Sequence, residues 1–182
     1  LVAADLIAQA EHDVNAQSIL ITNNKNLIRL VNASLKQQLK TLPKKKIASQ
    51  SLKSFGLAIF ANNKKNMLEA INTIAPEHLE LCTNINEKII KGVKNAGSIF
   101  IGKFSPEAIG DYIAGPNHVL PTSGSARFSS GLSVNDFLKR QSLIKITKTG
   151  IERLGSSVIN LAEHENLHGH ANSVKMRLKK GN

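Results

Sequence analysis

Two neighbouring residues near the middle of the chain have the chemistry of an acid–base pair. Glu77 and His78 follow Pro76, which ends a helical pattern and stiffens the turn. A histidine titrates near neutral pH, and a carboxylate beside it can activate a water molecule. The pair is a candidate for general acid–base catalysis, although two such residues in a turn are, taken alone, more often polar surface.

Two other stretches hold side chains that could bind a metal ion or a substrate. Gln9 and His12 are three residues apart, so on a helix they share a face, and imidazole is a good zinc ligand. Asp111 and His118 lie in a glycine-bracketed loop, where Asp111 could offer an oxygen ligand and His118 could meet a substrate. A solvated helix face and a loop whose aspartate caps backbone amides are the simpler interpretations of these residues alone.

The C-terminal stretch 163–170 is also dense in metal-ligand types. His164, Glu165 and His168 match the H-E-x-x-H pattern of zinc proteases, and His170 follows two residues later. Five residues are a short motif, so coincidence or another use is the better interpretation. The chain has neither G-x-G-x-x-G nor a P-loop motif, and its single cysteine, Cys82, excludes an internal disulfide.

The elements that must position these residues alternate in type along the chain. Helical spacing predicts helices at 3–11, after Asn24, after Asn62 or Asn63, and at 85–93, and short apolar runs predict buried strands at 18–22, 57–60, 79–82 and 98–101. This alternation is typical of an α/β domain with a parallel sheet.

Beyond residue 102 the pattern changes. Residues 105–131 are rich in glycine and proline and predict a long functional loop without secondary structure of its own. A short helix near 134–139, a strand at 143–147 and helical sequence at 150–179 follow. We therefore expect two domains, an incomplete α/β domain with a catalytic loop at 1–132 and a mainly helical tail domain at 133–182.

Composition narrows the class of protein. The chain has 182 residues, of which 41% are hydrophobic, and a net charge of +11. No apolar run approaches the ~20 residues that span a bilayer, so we expect no membrane association. The excess charge is spread evenly and aromatic residues make up only 4%, which argues against nucleic-acid binding. One cysteine and no signal-peptide pattern predict a cytoplasmic protein.

In this order, the separate signals resemble histidinol dehydrogenase along essentially all 182 residues. The resemblance implies a Rossmann-like α/β fold and looks like the C-terminal two-fifths of that enzyme. It is carried by long, specific stretches, at 5–12 (DLIAQAEH), 75–80 (APEHLE), 95–102 (NAGSIFIG), 110–112 (GDY), 117–122 (NHVLPT), 124–128 (GSARF) and 132–137 (LSVNDF), together with Glu165, Leu167 and His170.

The resemblance implies the zinc-dependent, NAD-linked oxidation of L-histidinol to L-histidine through the aldehyde, the last step of histidine biosynthesis. Glu77 would activate water and His78 would remove the alcohol proton. One zinc ion per subunit would be held by Gln9, His12, Asp111 and His170. The positions implied to meet the substrate are Gln9, His12, His78, Asp111, His118, Glu165 and His170.

The same resemblance implies a homodimer, in which Glu165 and His170 of the tail reach the partner's site. Most NAD contacts would lie in the family's preceding half, so we expect this chain alone to be inactive. Two alternatives remain open. One is a basic, non-enzymatic binding module derived from the enzyme, and the other is a zinc hydrolase that uses His164, Glu165 and His168.

Overall fold

The structure, a computed structural model, describes residues 1–82 and 87–179. Helices and short parallel strands alternate, which confirms the predicted α/β class. In chain order the elements are α1 (Val2–Ala10), β1 (Ile19–Thr22), α2 (Lys25–Gln38), α3 (Lys45–Phe55), β2 (Leu57–Phe60), α4 (Lys64–Ile74), β3 (His78–Leu81), α5 (Glu87–Gly92), β4 (Ser98–Ile101), α6 (Glu107–Tyr112), 3-10 turns at Ser125–Arg127 and Val134–Phe137, α7 (Lys148–His164) and α8 (His168–Leu178). Ile85, in the predicted helix 85–93, lies outside the described residues.

The strands of the described residues form two parallel pairs. β1 pairs with β2, and β3 pairs with β4, where His78 lies opposite Ser98. Each strand therefore keeps one edge without a strand partner among the described residues. Leu57 and Phe60 of β2 are 53% and 43% exposed, so the expectation of buried strands is met only in part.

Side chains at the helix starts explain two of the boundaries. The side-chain oxygen of Asn24 accepts hydrogen bonds from the backbone N–H groups of Asn26 and Leu27 at the start of α2. Asn63 does the same for Asn66 in α4. These caps confirm the predicted helix starts, because asparagine satisfies backbone donors that have no partner within the helix.

Helix α1 carries the core of the N-terminal part. Ala3, Ile7 and Ala10 are buried on one face of α1, which contacts α2 and α3. Helix α3 was not predicted, because the residues it buries are the small Ala48 and Ser51 rather than a stripe of large apolar side chains.

Two sequence-based expectations about the second half of the chain are wrong. The predicted loop 105–131 contains α6 and a 3-10 turn, because the residues after Pro106 continue as a helix. The predicted strand 143–147 is irregular chain. Leu143 is 98% exposed and Ile144 is 78% exposed, so this apolar run has no neighbouring strand to pair with among the described residues.

The chain divides into two compact units, Leu1–Phe137 and Leu138–Asn182, whereas the sequence places the division after residue 132. The second unit contains α7 and α8, which pack against each other and confirm the predicted helical tail. A side chain at Gly155 would come within 2.7 Å of Leu178, so glycine permits the close packing. Among the residues that the structure describes, no helix has the length and apolarity needed to cross a membrane.

Candidate active site

The imidazole of His78 lies between two carboxylates of helix α6. Its Nδ1 atom is 3.5 Å from Oε1 of Glu107, and its Nε2 atom is 3.6 Å from Oδ1 of Asp111. The ring of Phe100 on β4 packs beside it, with 5.9 Å between the ring centroids. A short strand, its neighbour and one helix thus hold the imidazole from three sides.

Backbone contacts hold the segment that carries Glu77. The backbone N–H of Ser98 donates to the carbonyl of Glu77 at 2.8 Å, and the N–H of Gly97 donates to the carbonyl of Pro76 at 2.9 Å. A Cβ atom at residue 97 would lie 2.6 Å from the Glu77 carbonyl oxygen, so only glycine allows this approach. Glu77 is half-buried immediately before β3, which agrees with its predicted place in a turn.

The surroundings of Glu107 are strongly acidic. Burial and, after it, the negative charge of Asp111 are the largest causes that together raise the pKa of the Glu107 carboxyl to about 7. The carboxylates of Glu80, Glu77 and Asp5 act in the same direction. Although the whole chain carries a net charge of +11, this part of the site is therefore suited to a cation.

One polar atom of His78 is left without a hydrogen bond. Within the part of the chain that the structure describes, its buried Nε2 atom has no hydrogen-bond partner. Buried polar atoms are rarely left unpaired unless they serve a ligand or a reaction. Nε2 is therefore available as a hydrogen-bonding atom for a ligand or a reaction at this site.

Two cavities meet the predicted site residues. A groove of 940 Å³, lined by parts of β1, β3 and α4, includes Gln9, Glu77 and His78 in its walls. A second cavity of 340 Å³ lies along β4 and is lined by Asp111 and His118. The first unit therefore places these five predicted residues at cavity walls.

The position of His12 differs from the prediction of a shared helix face. Helix α1 ends at Ala10, and His12 is exposed in the turn that follows, where its backbone N–H donates to the carbonyl of Gln9 at 3.4 Å. One ligand atom each from His12, Glu107 and Asp111 lies within 4.8 Å of the others, so these three could hold a metal ion.

Glu165 and His170 lie in the second unit. Glu165 follows the last residue of α7, His170 lies in the first turn of α8, and both side chains are exposed. His164 ends α7 and His168 begins α8, with Asn166 between them at a φ of 60°. The H-E-x-x-H residues therefore do not share one helix, which removes the geometric basis of the zinc-protease interpretation.

Sequence reasoning missed Glu107. It assigned residues 105–131 to a loop, so the spacing of Glu107 and Asp111 was not considered. On a helix, residues four apart lie on one face, and this spacing after Pro106 was the signal that could have revealed both carboxylates.

An imidazole between the buried carboxylate of Glu107 and the partly exposed carboxylate of Asp111, at a cavity of a parallel α/β fold, is typical of acid–base enzymes. Comparisons with known proteins specify the class. The family profile described as histidinol dehydrogenase matches residues 1–178. The chain therefore belongs to the histidinol dehydrogenase family.

Individual relatives agree with this family. The chain is 51% identical over 176 residues to histidinol dehydrogenase of Caldanaerobacter subterraneus and 44% identical over 176 residues to that of Bacillus subtilis. Each alignment covers 97% of this chain and 41% of the relative. A crystal structure of histidinol dehydrogenase from Elizabethkingia anophelis superimposes with a TM-score of 0.91 at 41% identity, and covers 97% of this chain and 41% of that one. The chain thus spans about two-fifths of the length of the relatives it matches.

Proposed function

We propose that this chain supplies the acid–base and metal-binding part of an enzyme that oxidises L-histidinol to L-histidine with zinc and NAD. Membership of the family supports the reaction. The observation that carries the assignment to these residues is His78, whose Nε2 atom is buried, lacks a hydrogen-bond partner among the described residues and faces Asp111 at 3.6 Å.

The residues of the first unit fit a zinc ion. An imidazole nitrogen and a carboxylate oxygen are donors that Zn²⁺ accepts, and the donor atoms of two proposed ligands, His12 and Asp111, already lie within 4.8 Å of each other. The mutual repulsion of carboxylates around Glu107 is the kind that a divalent cation relieves. In the proposal His12 and Asp111 hold the ion together with Gln9 and with His170.

The proposal assigns proton transfer and substrate binding to individual residues of this chain. His78 takes the hydroxyl proton of the alcohol at Nε2, and Glu77 takes a proton from the water that attacks the aldehyde. His118 and Asp111, which share a cavity wall, contact the substrate. When bound, zinc would orient the substrate, and two NAD molecules would each accept one hydride, the first from the alcohol and the second from the hydrated aldehyde. In the proposal most NAD contacts come from the part of the relatives' length that this chain does not span.

The second unit contributes across a dimer interface in this proposal. Glu165 and His170 are exposed on the tail, which suits residues that act outside their own unit. In a two-fold dimer each tail would complete the partner's site. The chain by itself, which spans 41% of its relatives, is then expected to lack dehydrogenase activity.

The first test measures zinc content and histidinol-dependent reduction of NAD for this chain and for the chain extended at its N-terminus to the length of its relatives. We expect activity in the extended protein only. His78→Asn and His170→Asn should each abolish it, while His164→Asn, a matched change of an exposed tail histidine, should not. Activity of the 182-residue chain alone, or loss of zinc with His164→Asn, would contradict the proposal.

A subunit-mixing experiment tests the shared site. Extended His78→Asn and His170→Asn proteins are each inactive in the proposal. Each site uses His78 of one subunit and His170 of the other, so a mixed dimer has both substitutions in one site and neither substitution in the other. Random reassociation should restore about a quarter of the unsubstituted activity. Mixtures that stay inactive after verified subunit exchange would contradict a tail that crosses the interface.

A further inference from the structure

The structure contains a buried carboxylate that the proposed reaction does not use. Glu107 is 7% exposed, and a carboxylate is costly to bury unless it is paired. Its Oε1 atom lies 3.5 Å from Nδ1 of His78. The Glu107 carboxylate therefore faces the nitrogen opposite the one that faces Asp111.

Glu107 is itself held in place. It is the first residue of α6, and its backbone N–H donates to Oε1 of Glu80 on β3 at 2.8 Å. One helical turn later the same helix carries Asp111. The two carboxylates on either side of His78 are thus mounted on one short helix that is tied to the strand bearing His78.

We propose that Glu107 is a positioning residue for His78, whose carboxylate accepts the Nδ1–H proton and thereby leaves Nε2 as the proton acceptor. This inference rests on the proposed function, because it assigns the proton-accepting step to Nε2. The separation of 3.5 Å is longer than an ordinary hydrogen bond, and the proposal requires it to shorten when substrate binds, since catalytic hydrogen bonds are often long without substrate.

The geometry accounts for both ring nitrogens. In a neutral imidazole one nitrogen carries the proton and the other offers a lone pair. Asp111, at 3.6 Å from Nε2, is a zinc ligand in the proposed function, so the carboxylate of Glu107 is the one that selects the tautomer with the proton on Nδ1 and fixes the rotation of the ring. The hydrogen-bond partner that Nε2 lacks among the described residues is then the substrate hydroxyl.

The competing role for Glu107 is that of a metal ligand, since its carboxylate also lies near His12 and Asp111. The two roles predict different losses. A ligand change lowers zinc content and raises KM, because the metal orients the substrate. A positioning change leaves zinc and KM in place and lowers kcat.

The test uses the extended protein with zinc bound and compares Glu107→Leu, Glu107→Gln and, as a matched control, Glu69→Gln on the exposed surface of α4. Glu107→Leu removes the acceptor and should lower kcat by about 100-fold, with KM within about two-fold and zinc content unchanged. Glu107→Gln keeps an acceptor oxygen and should recover part of the loss. Glu69→Gln should match the unsubstituted protein.

A second readout does not depend on activity. Nitrogen chemical shifts of ¹⁵N-labelled histidine, assigned by loss of the His78 signals in His78→Asn, report which ring nitrogen carries the proton. We expect the Nδ1–H tautomer in the unsubstituted protein and a shift toward Nε2–H in Glu107→Leu. An unchanged tautomer, an unchanged kcat, or zinc loss parallel to activity loss would each overturn the positioning role.

Failure of this inference is distinguishable from failure of the proposed function. An inactive unsubstituted extended protein would refute the function, and the tautomer measurement would still decide the role of Glu107. If the extended protein is active, His78→Asn is inactive and Glu107→Leu keeps the unsubstituted kcat, the proposed function stands and the positioning role of Glu107 is refuted.

Discussion

The packing of Gly110 against Phe100 makes the position of His78 sensitive to a single methyl group. A Cβ atom at Gly110 would lie 2.5 Å from Cε1 and 2.6 Å from Cζ of Phe100. Carbon atoms in contact prefer about 3.5–4.0 Å, so Gly110→Ala forces a separation of roughly 1 Å. Either the Phe100 ring moves, with His78 packed beside it, or α6 moves with its two carboxylates.

Both relaxations disturb the acid–base geometry, so Gly110→Ala should lower kcat. A misplacement of ~1 Å can cost up to about 100-fold in rate, and we expect a decrease of about 10- to 100-fold. Overpacking costs about 1–3 kcal/mol of stability, and the better helix propensity of alanine offsets about 1 kcal/mol. Net destabilisation should therefore be between about zero and 2 kcal/mol, a smaller effect than the loss in rate.

The assay combines initial rates of NAD reduction by the extended protein with denaturant unfolding. In the unfolding assay alone, Gly169→Ala in α8 is the control for helix propensity, because a Cβ there would meet nothing within 4 Å in this chain. It should stabilise the protein slightly, by less than about 1 kcal/mol. A Gly110→Ala protein with the unsubstituted kcat would refute the argument that Phe100 and α6 together locate His78.

Two further predictions concern stability. The pKa of Glu107 is raised to about 7 from an ordinary 4.5, so the folded metal-free protein binds the extra proton between these values and loses stability as the pH rises from about 4.5 to 7. Glu107→Gln should remove up to about 3 kcal/mol of that decline, as measured by urea unfolding at several pH values. If the unfolding free energy of the variant falls with pH as steeply as that of the unsubstituted protein, the raised pKa is contradicted. Asn72→Ala should cost about 2–3 kcal/mol in unfolding free energy, because the Asn72 amide accepts from the backbone N–H of Lys94 and Asn95 and donates to the carbonyl of Gly92. Asn26→Ala, which removes only an exposed contact with Arg29, is its control. Equal losses of unfolding free energy in the two variants would show that the hydrogen bonds of Asn72 do not stabilise the protein.

Local sequence patterns were sufficient to predict an element boundary where a residue interacts with its own neighbours along the chain. Asn24 and Asn63 cap helices because their side chains reach backbone N–H groups two or three residues away. The strand at residues 98–101 ends at Gly102, which has a φ of 87° that few other residues adopt. The predicted strand 143–147 failed because a strand needs a partner, and no local pattern supplies one.

The same distinction applies to the site. Glu77, His78 and Asp111 are recognisable as candidates from residue type and motif, and their assignment to catalysis and metal binding remains a prediction. Glu107 was not recognisable, because its importance comes from burial and from the 3.5 Å distance to a residue 29 positions earlier. Neither property is a feature of the local sequence.

By itself, the sequence determined the α/β alternation, the helical tail and the resemblance that family membership confirms, since periodicity, capping and long motifs are all written in consecutive residues. Only the tertiary structure decided that α6 replaces a loop, that His78 lies between two carboxylates, and that the groove and cavity walls gather residues from α1, β3 and α6. The physical reason is that burial, charge repulsion and the availability of an unpaired nitrogen depend on atoms brought together by packing, across distances in the chain that no local pattern spans.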